Sequence, residues 1–98
     1  MSRILFKIYL AGLTPRNKML VSTFREICSK KLEQPLHQVL IIDILKNPVE
    51  AESKKILATP TIIREKPYPE KRVIGDFRDS DKAEQALNFL IEDLNNQK

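Results

Sequence analysis

One device occurs twice in this sequence, and it limits the fold more than anything else in the chain. An apolar run of strand length is followed, within a few residues, by a helix-capping residue and a proline. The first run, Ile4–Ala11, is broken only by Lys7, and Gly12 ends it ahead of Thr14-Pro15. The second, Val39–Leu45, has Asp43 as its one polar intrusion and leads into Asn47-Pro48. Such runs, lacking polar alternation, suit strands covered on both faces, as parallel strands are. A threonine or asparagine side chain can accept one of the free N–H groups at a helix start, and a proline just inside loses nothing by lacking its own. The chain must therefore begin β-α-β-α.

The rest of the order follows from periodicity. Leu20, Phe24, Ile27 and Cys28 make one apolar stripe on the first helix, which Pro35 is expected to stop. Glu50 stands where a capping-box partner of Asn47 would reach back. Val49, Ser53 and Ile56 predict a short second helix ending near Leu57. Pro60 opens a third strand, Thr61–Ile63, and residues Glu65–Glu70 read as a loop. A fourth strand, Arg72–Ile74, ends at Gly75-Asp76. Asp79, Ser80 or Asp81 caps a final helix whose buried stripe is Ala83, Leu87, Leu90, Ile91 and Leu94. Two parallel strands with right-handed crossovers, then a hairpin and a covering helix, give the α/β thioredoxin-like order βαβαββα. At 98 residues the expectation is one domain, 1–98.

Several function classes fall away on chemistry. The net charge is +4, but the basic residues run from Arg3 to Lys98 beside acidic ones and without an aromatic platform, so nucleic acid is not the expected partner. The longest apolar run is far too short to cross a bilayer, and the N-terminus has no apolar secretory segment, so a cytoplasmic, membrane-free protein is expected. Dithiol exchange needs two cysteines just after the first strand, and the turn Ala11–Asn17 has none. Cys28, the one cysteine, falls on an apolar helix stripe and reads as a small buried hydrophobe. His37 falls in what should be a surface connection, and there is no second His or Cys for a zinc site. Asp43 could be a shifted base, but it reads better as an acceptor for nearby backbone N–H groups. No catalytic constellation, cofactor or metal is expected.

Four segments in register resemble the KaiB family of clock proteins over nearly the whole chain. They are Ile8–Pro15, Ile42–Pro48, Ile56–Thr61 and Arg72–Asp76. The resemblance implies a non-catalytic adaptor that docks on a KaiC-type ATPase ring. It also implies a resting homo-oligomer, a dimer or tetramer, and two folds of one sequence. One is the thioredoxin-like order; the other is a βαββααβ ground state that shares the N-terminal βαβ and rebuilds the half after about residue 50. A KaiC-binding sensor domain of a histidine kinase, on the same scaffold, is the alternative. A thioredoxin-like redox protein is a third reading, disfavoured by the missing cysteine pair.

On this reading the partner surface is the second helix and the turn before it: Lys46, Asn47, Pro48, Lys54 and Lys55. The positions tied to fold choice are Pro60, Gly75, Asp76, Ala86 and Asn88. A cis bond before Pro60 is what the scaffold implies. Many relatives have Gly and Asp where this chain has Ala86 and Asn88, and alanine favours a helix interior over glycine by about 1 kcal/mol. The thioredoxin-like state should therefore be favoured. Met19 in place of an arginine, and Ser53-Lys54 in place of an acidic pair, point to a divergent paralogue in stress or environmental adaptation.

Overall fold

The structure is a computed structural model and describes residues 3–33 and 36–96. Its elements are β1 (Ile4–Leu10), α1 (Pro15–Lys31), β2 (His37–Asp43), α2 (Pro48–Ser53), β3 (Thr61–Lys66), β4 (Lys71–Ile74) and α3 (Ser80–Ile91), closed by a 3-10 turn, Glu92–Asn96. The order is the expected βαβαββα, and the four strands form one sheet, β2-β1-β3-β4. β1 runs parallel to β2 from Ile4↔His37 to Leu10↔Asp43. β3 is antiparallel to both β1 and β4.

Alternation along the strands divides the side chains between two faces. Phe6, Ile8, Leu10 and Ile62 pack with Leu20, Phe24, Ile27 and Cys28 of α1 and with Ala83, Ala86, Leu87 and Leu90 of α3. The rings of Phe6 and Phe24 meet edge to face, 5.4 Å between centroids. The helix stripes read from the sequence are the ones buried, though Ile91 and Leu94 are only half-buried. The opposite face carries Lys7, Tyr9, Ile63 and Glu65, and α2 lies on that side.

Local chemistry sets the ends of the elements. Thr14 Oγ1 accepts the N–H of Asn17 at 3.2 Å, and Pro15 follows inside α1. Thr14→Ala should lower stability by about 1 kcal/mol, read as a drop in the urea midpoint at unchanged slope. The helix closes at Lys31, where Leu32 turns extended and donates its N–H to the Cys28 carbonyl. Pro35, expected to stop it, lies outside the described residues. Asp79 is the cap of α3, accepting the N–H of Asp81.

Three expectations are corrected. β2 starts two residues earlier than Val39 and ends two before Leu45, because Asp43 begins a turn in which its carbonyl accepts the N–H groups of Lys46 and Asn47. His37 is consequently not a surface-loop residue. It is buried at the head of β2, and its Nδ1 lies 3.0 Å from the Glu33 carbonyl. β3 runs on to Lys66 instead of stopping at Ile63, because the fully buried guanidinium of Arg64 finds partners. It meets the Asp93 carboxylate at both oxygens and donates to the Leu90 and Pro69 carbonyls. A polar residue with that many acceptors need not end a strand.

A candidate docking rim at the carboxyl ends of the parallel strands

The two βα turns meet where β1 and β2 end, and one carboxylate joins them. Asp43 Oδ1 accepts the N–H of Gly12, in the first turn, and the N–H of Leu45, in the second, each at 3.0 Å. This is the acceptor role read for it from the sequence. Gly12 has a φ of +85°, a conformation that favours glycine. Asn17 Nδ2 donates to the Gly12 carbonyl at 2.7 Å, and Ile44 N–H to the Leu10 carbonyl at 2.8 Å. Gly12 therefore presents a fixed backbone to both elements.

Beyond this junction lie Lys46, Asn47 and Pro48, all exposed. They line a shallow concavity of about 530 Å³ together with Val49, Glu50 and Ser53. The expected capping box does not form. Asn47 turns its amide to the Asp43 carbonyl, and Glu50 accepts from Tyr9 Oη at 3.0 Å and lies 3.4 Å from Lys7 Nζ. Burial raises the Tyr9 phenol above its ordinary range, and the neighbouring Glu50 carboxylate adds to that. α2 is also shorter than expected, ending at Ser53, and the side it buries is Ala51 rather than Val49. Val49 is 80% exposed, Leu45 70% and Leu57 93%.

Lys54 and Lys55 part company. They follow α2 instead of lying on it, and only Lys55 is exposed, at a φ of +55°. Lys54 is half-buried between Glu65 (3.3 Å) and Glu70 (3.3 Å). Burial works against its charge, but the two carboxylates outweigh it and hold the ammonium above its usual range. The chain of charges runs on: Lys7 bridges Glu50 and Glu65, while Arg72 pairs with Glu70 and donates to the Lys54 carbonyl. Lys54 thus belongs to a seam that fastens the segment after α2 to the sheet, not to an exposed basic cluster.

The positions tied to fold choice are spread through the second half. The Thr59–Pro60 bond is cis, and the Pro60 carbonyl accepts the Gly75 N–H at 3.3 Å. Asp76 is gripped by the Arg78 guanidinium, which holds its carboxyl well below the usual range. Ala86 is buried in α3 and Asn88 exposed on it. Cys28 is fully buried, and burial pushes its thiol up to about 12, which leaves it protonated at neutral pH.

What sequence reasoning missed at the rim is apolar. Leu45, Val49 and Leu57 passed for strand and helix residues, yet each projects from a turn or a short helix into solvent. The signal lies in their places: each stands at an end of a predicted element, next to Lys46, Pro48 or Ala58. Exposed aliphatic residues beside Lys46 and Lys55 make a surface suited to a protein partner. Among the described residues no group of His, Cys, Asp and Glu is placed to hold a metal ion, and no helix is long and apolar enough to cross a membrane.

Comparison with known proteins agrees with this architecture. A family model described as KaiB domain matches residues 7–89. The chain is 42% identical over 89 residues to the circadian clock oscillator protein KaiB of Trichodesmium erythraeum (strain IMS101), covering 91% of this chain and 85% of that one. It is 39% identical over 90 residues to the protein of the same name from Prochlorococcus marinus (strain MIT 9312), covering 92% and 85%. In structure it is similar to the N-terminal domain of Synechococcus elongatus SasA, with a TM-score of 0.76 at 15% identity over 95% of this chain and 87% of that one. It is also similar to the germline-specific thioredoxin Deadhead of Drosophila melanogaster, with a TM-score of 0.69 at 20% identity over 91% of this chain and 82% of that one. At these identities the structural likeness speaks for the thioredoxin-like fold.

Proposed function

Because the chain belongs to the KaiB family, we propose that it is a non-catalytic regulatory adaptor that docks on a KaiC-type ATPase ring through the rim around α2. The observation that carries this is the rim itself: Leu45 stands in solvent on a turn fixed by Asp43, and Val49 stands in solvent in the first turn of α2, with Lys46, Asn47 and Pro48 between them. An apolar centre with cations at its edge is the anatomy of a protein interface. Lys55 adds a second exposed cation, whereas Lys54 supports the surface from beneath.

The sensor-domain alternative draws only on the shared fold with the SasA domain, and the sequence kinship with KaiB proteins favours the adaptor. A redox reading has little to work with, given a turn without cysteines and a Cys28 thiol pushed up to about 12.

The same reading includes a second packing of the half after about residue 50 and a resting dimer or tetramer in the cytoplasm. Two packings coexist when they differ by only a few kcal/mol. Pro60, Gly75, Asp76, Ala86 and Asn88 are the positions at which the choice would be biased, with Ala86 favouring the long α3 seen here.

The purified chain, mixed with a KaiC-type ATPase from its own organism, should co-elute with the hexamer on a sizing column in at least one nucleotide state. Its elution volume alone reports the resting oligomer. Failure to associate with ATP or with ADP would reject the adaptor reading.

A further inference from the structure

Residues 48–58, which comprise α2 and the turn after it, are hydrogen-bonded to the sheet only through side-chain contacts. Among the described residues, their backbone-to-backbone hydrogen bonds all run within residues 47–58, and none goes to a strand. The apolar contribution is small: Ala51 is buried and Ile56 half-buried, while Val49 and Leu57 face solvent. What fastens the stretch is a row of alternating charge. Glu50, Lys7, Glu65, Lys54, Glu70 and Arg72 meet in that order, at 3.4, 3.2, 3.3, 3.3 and 2.8 Å. Glu50 and Lys54 belong to the stretch; the others come from β1, β3, the turn before β4, and β4 itself. Tyr9 Oη donates to Glu50, the Arg72 guanidinium to the Lys54 carbonyl, and Thr61 Oγ1 to the Ala58 carbonyl at 2.6 Å. At the centre of the row, Glu65 Oε2 is shielded from water between the Lys7 and Lys54 ammonium groups.

We propose that residues 48–58 are a latch: they open as a unit while the sheet, α1 and α3 stay folded, and this row of charges holds them shut. A stretch with few buried apolar groups and no backbone tie to its neighbours opens at far lower cost than the whole domain. An isolated exposed ion pair contributes little, but these charges share partners and are half-buried. Lys54 is the hinge of the row, because its loss leaves Glu65 and Glu70 facing each other with no cation of the stretch between them. The turns tied by Asp43 lie outside the latch and keep their bonds when it opens. On the docking reading of the rim, opening parts Val49 from Leu45. The latch itself does not depend on that reading, and its test uses no partner.

The test is native-state amide hydrogen exchange on the full chain at neutral pH, across low concentrations of urea. The amides of Ala51, Lys54, Lys55 and Ile56 all bond within the stretch. They should exchange together, with protection about a hundredfold below that of Ile8 and Leu87 in the core and with little dependence on urea. Ile62→Val, a mild truncation of the core, should lower protection at Ile8 and Leu87 and leave the four latch amides unchanged. Lys54→Met, which keeps the aliphatic stem, should speed exchange at the four about tenfold, whereas Lys54→Arg should stay within about threefold of wild type. Latch amides that share the core's urea slope, or that follow the core in Ile62→Val, would show one cooperative unit and overturn the proposal. Exchange indifferent to Lys54→Met would show that something other than the charges keeps the stretch closed, and would overturn it equally.

Discussion

Asp93→Ala should be the most destabilising single change outside the apolar core, lowering unfolding free energy by about 3 kcal/mol. Arg64 is completely buried, and among the described residues the Asp93 carboxylate is the one anion it touches. Removing the carboxylate leaves the buried cation without its charged partner, and only the gap left by the partly exposed Asp93 side chain admits water to it. The Leu90 and Pro69 carbonyls still accept from it, which places the cost at the low end for a broken buried pair. For a chain of this size, that corresponds to a fall of at least about 12 °C in Tm. Replacing both residues by apolar ones, Arg64→Met with Asp93→Leu, should recover much of the loss, since it removes the buried charge as well as its partner. A double variant no more stable than Asp93→Ala would show that the pair matters for another reason. Acid gives an independent reading. The Arg64 guanidinium holds the Asp93 carboxyl below its ordinary range, although partial burial works the other way. A depressed native pKa means that the pair's contribution is complete above the ordinary carboxylate range and is lost as pH falls through the native value. Asp93→Asn should lack that part of the acid sensitivity in urea melts.

The second large effect concerns binding. On the proposed docking, Val49→Glu should weaken association with a KaiC-type ATPase ring by about thirtyfold or more, the loss typical of an interface hot spot, while leaving the melting temperature nearly unchanged. Val49 is 80% exposed, so its replacement disturbs no packing in the free protein. Reversing Lys46 or Lys55 should act more weakly and chiefly on the association rate, as edge charges do, with an effect that fades in salt. Lys54→Glu is a different experiment. It would set a third carboxylate beside Glu65 and Glu70, so any loss of binding would come with loss of stability. Ring affinity within about threefold of wild type for Val49→Glu would remove α2 from the interface.

Much of the fold was legible because each element carries its own local chemistry. Thr14-Pro15, the stripe Leu20–Cys28, Asp79 and the final apolar stripe all act within one helix, and short-range rules reach that far. Asp43 was legible too, since a lone carboxylate in an apolar strand beside two turns has few roles open to it. The errors came from contacts across the sheet. Nothing near Arg64 in sequence announces Asp93, 29 residues on, so β3 looked shorter than it is. Glu50 had a good local partner in Asn47 and a better distant one in Tyr9. Lys54 and Lys55 look alike in a row of letters. Only the fold shows that one faces two carboxylates and the other faces water.

The bonds around Asp43 bear on how fast the rim can engage another protein. A loop that must first be ordered gives up conformational freedom on contact and slows capture. Here the two turns are already stitched to each other and to the strand ends, so little entropy remains to be lost when they meet a partner. For a molecule already in this packing, encounter with the proposed partner then depends on how often two preset shapes collide in the right orientation.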